Sequence, residues 1–236
     1  MAEELRRVIT AGRLVRAVQY TMIRGPGERA RRTDRRQISS AVREHINLKY
    51  SRDKLKMLLA ANFAYSDPVI TLTYDDSALP RSKREADRRF TNFLRRFRAA
   101  RLAAGTPLRY AWVTEGDHSA GRYHHHWIIN ASPGDRELIR RLWARNGEIA
   151  DFDLIGSHGY AGWADYLTKE PREHGKPRVG EHMWHCSRGM LRPVIETETV
   201  GDHVDLAAPP GAIILMQDCK LNSYGRFRYL EYILPE

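Results

Sequence analysis

The chain has 236 residues, of which 42% are hydrophobic and 29% are charged, and its formal net charge at pH 7 is +10. This length and composition suit one folded domain with appended segments and exclude wholesale disorder. No stretch of about eighteen apolar residues predicts a membrane span, and the charged N-terminus is not typical of a secretory signal. The two cysteines, Cys186 and Cys219, argue against a disulfide scaffold and favour a reducing cytoplasm. The positive charge favours nucleic acid over membrane as the partner.

The first forty residues are basic and show no clear hydrophobic period. Between Arg24 and Arg36 the net charge is +4, and glycine and proline at 25–27 interrupt the chain. We interpret this stretch as a flexible arm that either contacts DNA or is simply solvated. A helix is predicted to begin at Ser39-Ser40 and to end before Ser66.

The central part of the chain alternates strands and helices. We predict a strand over 69–74, a helix over 82–102, strands over 108–114 and 123–130, a helix over 136–146, a strand over 149–155 and a helix over 159–170. This β-α-β-β-α-β order is typical of a ferredoxin-like α+β fold, with helices on one face of an antiparallel sheet and the other face open to a ligand. Two more strands are expected at 212–217 and 227–233, paired across a turn.

These elements divide the chain into three expected parts. Residues 1–66 form a basic N-terminal arm and a helix packed on the domain. Residues 67–200 form the central domain, and residues 201–236 extend that domain with C-terminal strands.

The predicted helix over 82–102 is the most basic element, because residues 81–101 carry a net charge of +7. Arg81, Arg84 and Arg88 recur at helical spacing on the side opposite the apolar residues. We expect these three side chains, together with Arg122, to contact the phosphates of DNA. The competing interpretation is a solvated helix face.

Three consecutive histidines stand inside the predicted strand over 123–130. Alternate side chains of a strand point to the same side, so His124 and His126 share one face and His125 points to the other. Two imidazoles on one face are well placed to hold a metal ion, and imidazole suits Zn, Mn, Co or Ni, or Mg where carboxylates assist. The competing interpretation is a structural histidine cluster.

A third metal ligand is expected from the neighbouring strand. Glu115 ends the strand that precedes the histidines, and a hairpin between the two strands brings it close to His124 or His126. Asp117 and His118 in the intervening loop are alternatives. The competing interpretation of Glu115 is a solvated carboxylate at a strand end.

Tyr166 and Lys169 are three residues apart in the last predicted helix and are expected to share a face. A tyrosine hydroxyl beside an ammonium group is a candidate nucleophile, because the cation favours the phenolate and stabilises charge on a phosphate. Tyr160 lies elsewhere around the helix. Taken alone, such a pair is more often an ordinary surface contact.

Together, these motifs resemble those of the HUH endonucleases, in particular the rolling-circle replication initiators of phages, plasmids and related bacterial mobile elements. The segment 70–74, Ile-Thr-Leu-Thr-Tyr, is similar to their first motif, His124-His125-His126 to their metal motif, and Tyr166 to Lys169 to their nucleophile motif. The motifs occur in the order of replication initiators. The resemblance covers residues 40–200, with the nuclease domain at 67–200, and His125 departs from it because a hydrophobic residue is usual there.

The resemblance implies an enzyme that nicks and rejoins single-stranded or hairpin origin DNA with a divalent metal, Mg²⁺ or Mn²⁺. It assigns Tyr166 as the nucleophile that keeps a 5′-phosphotyrosine and leaves a free 3′ hydroxyl, with Lys169 assisting. A single motif tyrosine indicates a one-tyrosine enzyme, although Tyr160 leaves a second transfer open. The sequence has no Walker-type phosphate-binding motif, so we expect a host helicase and polymerase, in the cytoplasm of a bacterial host.

Three alternatives stay open at this point. A non-catalytic origin-binding or repressor protein with the same fold would not nick DNA. A hydrolytic metalloenzyme in which Tyr166 is structural would form no covalent adduct. A transposase or relaxase of the same superfamily would share the chemistry but not the role in replication.

Overall fold

The structure, a computed structural model, describes residues 3–21, 41–116, 122–169, 173, 182–222 and 225–235. Within these residues the protein is α+β, with two five-stranded antiparallel sheets and four α-helices. None of the described helices is long and apolar enough to span a membrane. The elements in chain order are β1 (Glu3–Ala11), β2 (Leu14–Thr21), α1 (Ala41–Asn62), β3 (Pro68–Thr73), α2 (Lys83–Ala103), β4 (Tyr110–Glu115), β5 (His124–Ile129), α3 (Asp135–Trp143), β6 (Ile149–Leu154), α4 (Ile155–Leu167), β7 (His185–Cys186), β8 (Val194–Gly201), β9 (Ile213–Asn222) and β10 (Gly225–Ile233).

The chain forms two compact units, one from residues 1–44 and 191–236 and one from residues 45–190. The first unit contains a sheet of strand order β8-β1-β2-β10-β9, and the second a sheet of order β6-β3-β5-β4-β7. The domain limits expected from the sequence, at residues 66 and 200, stay a proposal.

The second unit has the predicted ferredoxin-like arrangement. Helix α2 connects β3 to β4, helix α3 connects β5 to β6, and the four strands lie in the order β6-β3-β5-β4 with β7 added at one edge. The predicted hairpin of β4 and β5 is present as an antiparallel pair. The α+β ferredoxin-like fold class is therefore confirmed.

Helices pack against both faces of this sheet, which corrects the expectation of one open face. Ile70, Trp127 and Ile129 pack with the aromatic residues of α2 and α3. On the other face, Val69 and Ile128 pack with residues of α1 and α4. The sequence carries the reason, because β3 and β5 have apolar residues at consecutive positions and both faces therefore need cover.

The core between α2 and the sheet predicts a large stability effect at Phe90. This side chain is fully buried, and its ring centroid lies 4.7 Å from that of Trp112 and 4.5 Å from that of His125. Phe90→Ala is expected to lower the free energy of unfolding by about 3–5 kcal/mol, because it removes apolar contacts and leaves a cavity. Urea denaturation followed by circular dichroism measures the effect. The exposed Asn92→Ala on the same helix is the control, and a loss at Phe90 no larger than the control's would contradict this packing.

Residues 3–21 form the β1–β2 hairpin, so the predicted unpatterned arm is wrong for this stretch. The strands lack a clear alternation because polar side chains occupy their buried positions. The Glu4 carboxylate is 2% exposed and accepts hydrogen bonds from Gln19 and Arg228. The Arg-rich segment at 24–36 lies outside the described residues.

The two C-terminal strands predicted at 212–217 and 227–233 exist as β9 and β10, and they pair with each other as expected. Their sheet is a different one from that of the histidine strand. Strand β10 pairs with β2 of the N-terminal hairpin, so both strands extend the sheet of the first unit.

Candidate metal centre and active site

The β4–β5 hairpin brings three metal-ligating side chains together. Glu115 is paired with His124 across the hairpin, and His126 follows on the same face of β5. The Oε2 atom of Glu115 lies 3.6 Å from Nε2 of His124 and 3.6 Å from Nε2 of His126. One ligand atom from each residue lies within 4.8 Å of the other two. This is the juxtaposition that the hairpin predicted.

The hydrogen bonds of the two imidazoles leave the Nε2 atoms directed at this cluster. Nδ1 of His124 lies 3.0 Å from the carbonyl oxygen of Arg122, and because a carbonyl only accepts, this bond places the proton on Nδ1 and leaves a lone pair on Nε2. Nδ1 of His126 lies 2.9 Å from the Thr71 hydroxyl. Such partners fix the orientation of histidines that bind metals.

Two buried polar atoms of the cluster have no hydrogen-bond partner among the described residues: Oε1 of Glu115 and Nε2 of His126. Unpaired polar atoms in a protein interior are costly, and a bound cation would satisfy both. One carboxylate and two imidazoles form a donor set that suits a divalent metal ion. The residues present therefore fit a metal site, and the structure does not identify the metal.

Glu115 is ionised at neutral pH, as a metal ligand must be. Burial by itself raises the pKa of this carboxyl group, but the adjacent imidazoles of His124 and His126 outweigh that effect and lower the pKa to about 2. The cluster therefore carries a negative charge that attracts cations above pH 2.

Tyr166 lies beside the cluster. Its ring centroid is 4.9 Å from that of His126, in an edge-to-face arrangement, and its side chain is 44% exposed. Gly159 adopts φ 67°, a conformation that suits glycine, and interrupts α4 so that a second helical segment carries the tyrosine over the sheet. A bidentate ion pair between Arg52 of α1 and the neighbouring Asp165 holds this segment.

The phenol of Tyr166 is protonated at neutral pH. Burial, and in addition the carboxylates of Glu115 and Asp151, raise its pKa above the usual value. Asp151 was not among the residues predicted from the sequence. It is paired with Thr71, which in turn is paired with His126, so all three positions lie in one row across the sheet.

Lys169 does not accompany Tyr166 on the helix as predicted. Helix α4 ends at Leu167, and the Lys169 ammonium lies 3.9 Å from a carboxylate oxygen of Glu173. Among the described contacts, none joins Lys169 to Tyr166. A cation that lowers the tyrosine pKa is therefore not supplied by Lys169 in this arrangement.

The other candidate tyrosine, Tyr160, has a structural environment. Its hydroxyl donates a hydrogen bond of 2.6 Å to the carbonyl of Phe63, and its ring stacks on Tyr65. The prediction that Tyr160 points elsewhere than Tyr166 is consistent with these contacts.

The arginines predicted to bind DNA lie near one end of the sheet but not on the metal-binding face. Arg81, Arg84 and Arg88 are exposed at the start of α2, which packs on the opposite face. The loop before α2 follows Thr73, the residue paired with His124, so these arginines lie at the ligand end of the sheet. Arg122 is half-exposed and forms an ion pair of 2.7 Å with Asp76.

His125 points away from the cluster, as predicted. Its ring is fully buried and stacks on Phe90, and burial together with the neighbouring His124 and His126 lowers its pKa well below the usual value. The alternative ligands Asp117 and His118 lie outside the described residues.

Comparison with known proteins identifies one relationship. Residues 67–171 match the family model of the replication-associated protein ORF2. The matched segment contains Glu115, the histidine strand, Tyr166 and Lys169. The comparisons with curated proteins and with solved structures give no match. The family match supports a protein of the replication-initiator type with a role in replication.

Proposed function

We propose that the protein is a replication initiator of the HUH type, which nicks and rejoins single-stranded or hairpin origin DNA through a tyrosine nucleophile and a divalent metal. The observation that carries this proposal is the convergence of Tyr166 on the cluster of Glu115, His124 and His126. A tyrosine 4.9 Å from a metal-ligating imidazole, centroid to centroid, and still 44% exposed is accessible to a phosphodiester.

In this proposal each residue has a separate task. Glu115, His124 and His126 would hold the cation, whose chemistry when bound is Lewis-acid polarisation of a phosphate oxygen. The Oη atom of Tyr166 attacks the phosphorus, a P–O bond to tyrosine forms, and the bond to the 3′ oxygen breaks. The phenolic proton leaves and the departing 3′ oxygen takes up a proton, so no net proton is consumed.

Reversal of the same step rejoins the strand, because the phosphotyrosine conserves the phosphodiester bond. The free 3′ hydroxyl would serve a host polymerase, and unwinding would need a host helicase. Thr71 and the carbonyl of Arg122 keep the two imidazoles oriented. We place Lys169 at the edge of this site, where it would contact phosphate rather than activate the phenol.

The exposed arginines at the start of α2 would bind the DNA backbone next to the site. Arg84→Gln combined with Arg88→Gln is expected to weaken binding and to reduce the slope of log affinity against log salt by about 0.7 per lost phosphate contact on a single strand. Arg95→Gln with Arg98→Gln, an equal charge change farther along the exposed face of α2, is the matched control. Fluorescence anisotropy with a labelled oligonucleotide over a salt series measures both. Equal slopes for the two double variants would show that the predicted contacts are only solvated charges.

A nicking assay tests the proposed function. Single-stranded oligonucleotides that cover the candidate origin are incubated with the protein and Mn²⁺ or Mg²⁺ and are separated under denaturing conditions. We expect a protein–DNA adduct and a shortened strand, both lost in excess chelator. Tight DNA binding without cleavage under all metal conditions would instead favour the non-catalytic origin-binding protein.

A further inference from the structure

A chain of buried hydrogen bonds lies directly behind the metal ligands, on the opposite face of the sheet. The Thr114 hydroxyl is 2.6 Å from Oδ1 of Asp87 and 2.8 Å from Nδ1 of His125. On the other side of the imidazole, Nε2 of His125 is 2.7 Å from the Tyr74 hydroxyl. We call this series Asp87–Thr114–His125–Tyr74 the buried chain. The described function uses none of its four side chains.

The hydrogen bonds of the buried chain run in one direction. An ionised carboxylate only accepts, so the Thr114 hydroxyl donates to Asp87 and its oxygen then accepts from the Nδ1–H of His125. The remaining lone pair on Nε2 of His125 accepts from the Tyr74 hydroxyl. Both nitrogens of the fully buried imidazole are thereby satisfied.

The buried chain joins four elements at the ligand end of the sheet. Asp87 belongs to α2, Thr114 to β4 and His125 to β5, and Tyr74 directly follows β3. Thr114 precedes Glu115, and His125 lies between His124 and His126. Each ligand is therefore the immediate neighbour of a residue that is held on the other face, and Thr114 and His125 form a direct cross-strand pair.

Packing alone does not account for this arrangement. His125 lies in an aromatic cluster with Phe90, Trp112 and Trp143, where an apolar ring would fill the same space. A buried imidazole costs free energy there unless both nitrogens are bonded, and an apolar side chain would avoid that cost. Hydrogen bonds differ from apolar contacts in fixing both distance and direction.

We propose that Thr114 and His125 are positioning residues, and that the buried chain fixes the ends of β4 and β5 so that Glu115, His124 and His126 face one cation. This proposal rests on the metal-binding part of the proposed function. It does not depend on cleavage or on Tyr166.

The test compares isosteric variants at Thr114 by metal affinity. Thr114→Val removes the hydroxyl at nearly constant volume, and it should weaken Mn²⁺ binding about 10- to 100-fold, the range typical for partners behind metal ligands. Thr114→Ser keeps the hydroxyl and should remain within about threefold of the unmodified protein. Calorimetric titration with Mn²⁺ gives the affinities, and the visible spectrum of the Co²⁺-loaded protein reports the ligand geometry.

A matched control separates positioning from stability. Thr106→Val also removes a hydroxyl that bonds within the fold, to Arg101, beside the opposite end of β5. It should lower the melting temperature without changing the Mn²⁺ affinity or the Co²⁺ spectrum. If Thr114→Val does not fold, Tyr74→Phe interrupts the same buried chain at the other nitrogen of His125 and should show the same loss of affinity.

Three results would overturn the proposal: unchanged Mn²⁺ affinity in a folded Thr114→Val or Tyr74→Phe, an equal loss in Thr114→Ser, or an equal loss in the Thr106→Val control. Failure of the unmodified protein to bind any divalent cation would overturn this proposal together with the metal site. Metal binding with the expected affinity ratios but without any DNA cleavage would support this proposal and contradict only the nicking function.

Discussion

Tyr166→Phe is expected to abolish the covalent protein–DNA adduct and strand cleavage, with a loss of activity on the order of 10⁴- to 10⁶-fold, as when a catalytic nucleophile is removed. The variant keeps the ring and loses only the hydroxyl oxygen that would attack phosphorus. The ring contacts with His126 and Trp163 do not involve the hydroxyl, so the fold and the DNA affinity should be nearly unchanged. Denaturing electrophoresis with an origin oligonucleotide and Mn²⁺ measures adduct and product.

Tyr160→Phe is the matched control for this experiment. It removes a hydroxyl from the same helix, but one that donates to the carbonyl of Phe63. A modest loss of stability, about 1 kcal/mol, is expected from the lost hydrogen bond, with adduct formation retained. Adduct formation by Tyr166→Phe together with its loss in Tyr160→Phe would assign the nucleophile to the other tyrosine.

His126→Ala is expected to have the second largest effect. This side chain is 3% exposed, and its Nε2 atom is one of the unpaired atoms of the cluster. Its removal should weaken divalent metal binding by more than about 100-fold, beyond the loss typical for residues that only support a ligand. Cleavage should fall below detection, whereas DNA binding should persist because it depends mainly on phosphate contacts.

His203→Ala controls for the loss of an imidazole. His203 is exposed and lies in the other compact unit, so this variant should bind Mn²⁺ and cleave DNA like the unmodified protein. Calorimetry gives the metal affinity, and anisotropy gives the DNA affinity. Full cleavage by His126→Ala, or full cleavage by the unmodified protein in excess chelator, would contradict a metal-dependent mechanism.

The sequence predicted those parts of the fold and site that depend on local patterns. Strand alternation placed His124 and His126 on one face and His125 on the other, and the short connection between β4 and β5 placed Glu115 beside them. The helix over 83–103 was foreseen from its apolar period and from Ser82, which caps its first turn. Each of these features is encoded within about twenty residues of chain.

Features that depend on distant pairing were not predictable in the same way. Thr71 and Asp151 are neighbours of the site only through the registers of β3 with β5 and β6, which join segments far apart in sequence. The β1–β2 hairpin was missed because the charges of its buried positions are compensated by Arg228, more than two hundred residues away. The position of Lys169 depends on where α4 ends, and helix ends are poorly specified by periodicity.

The measurement that tests the central claim most directly is mass spectrometry of the peptides from an adduct formed with a short single-stranded oligonucleotide and Mn²⁺. The account predicts one modified peptide that contains Tyr166, with the mass of the 5′-phosphorylated downstream strand on the tyrosine and a free 3′ hydroxyl on the released strand. A phosphodiester bond to any other residue, or strand cleavage without a covalent peptide adduct, would contradict it.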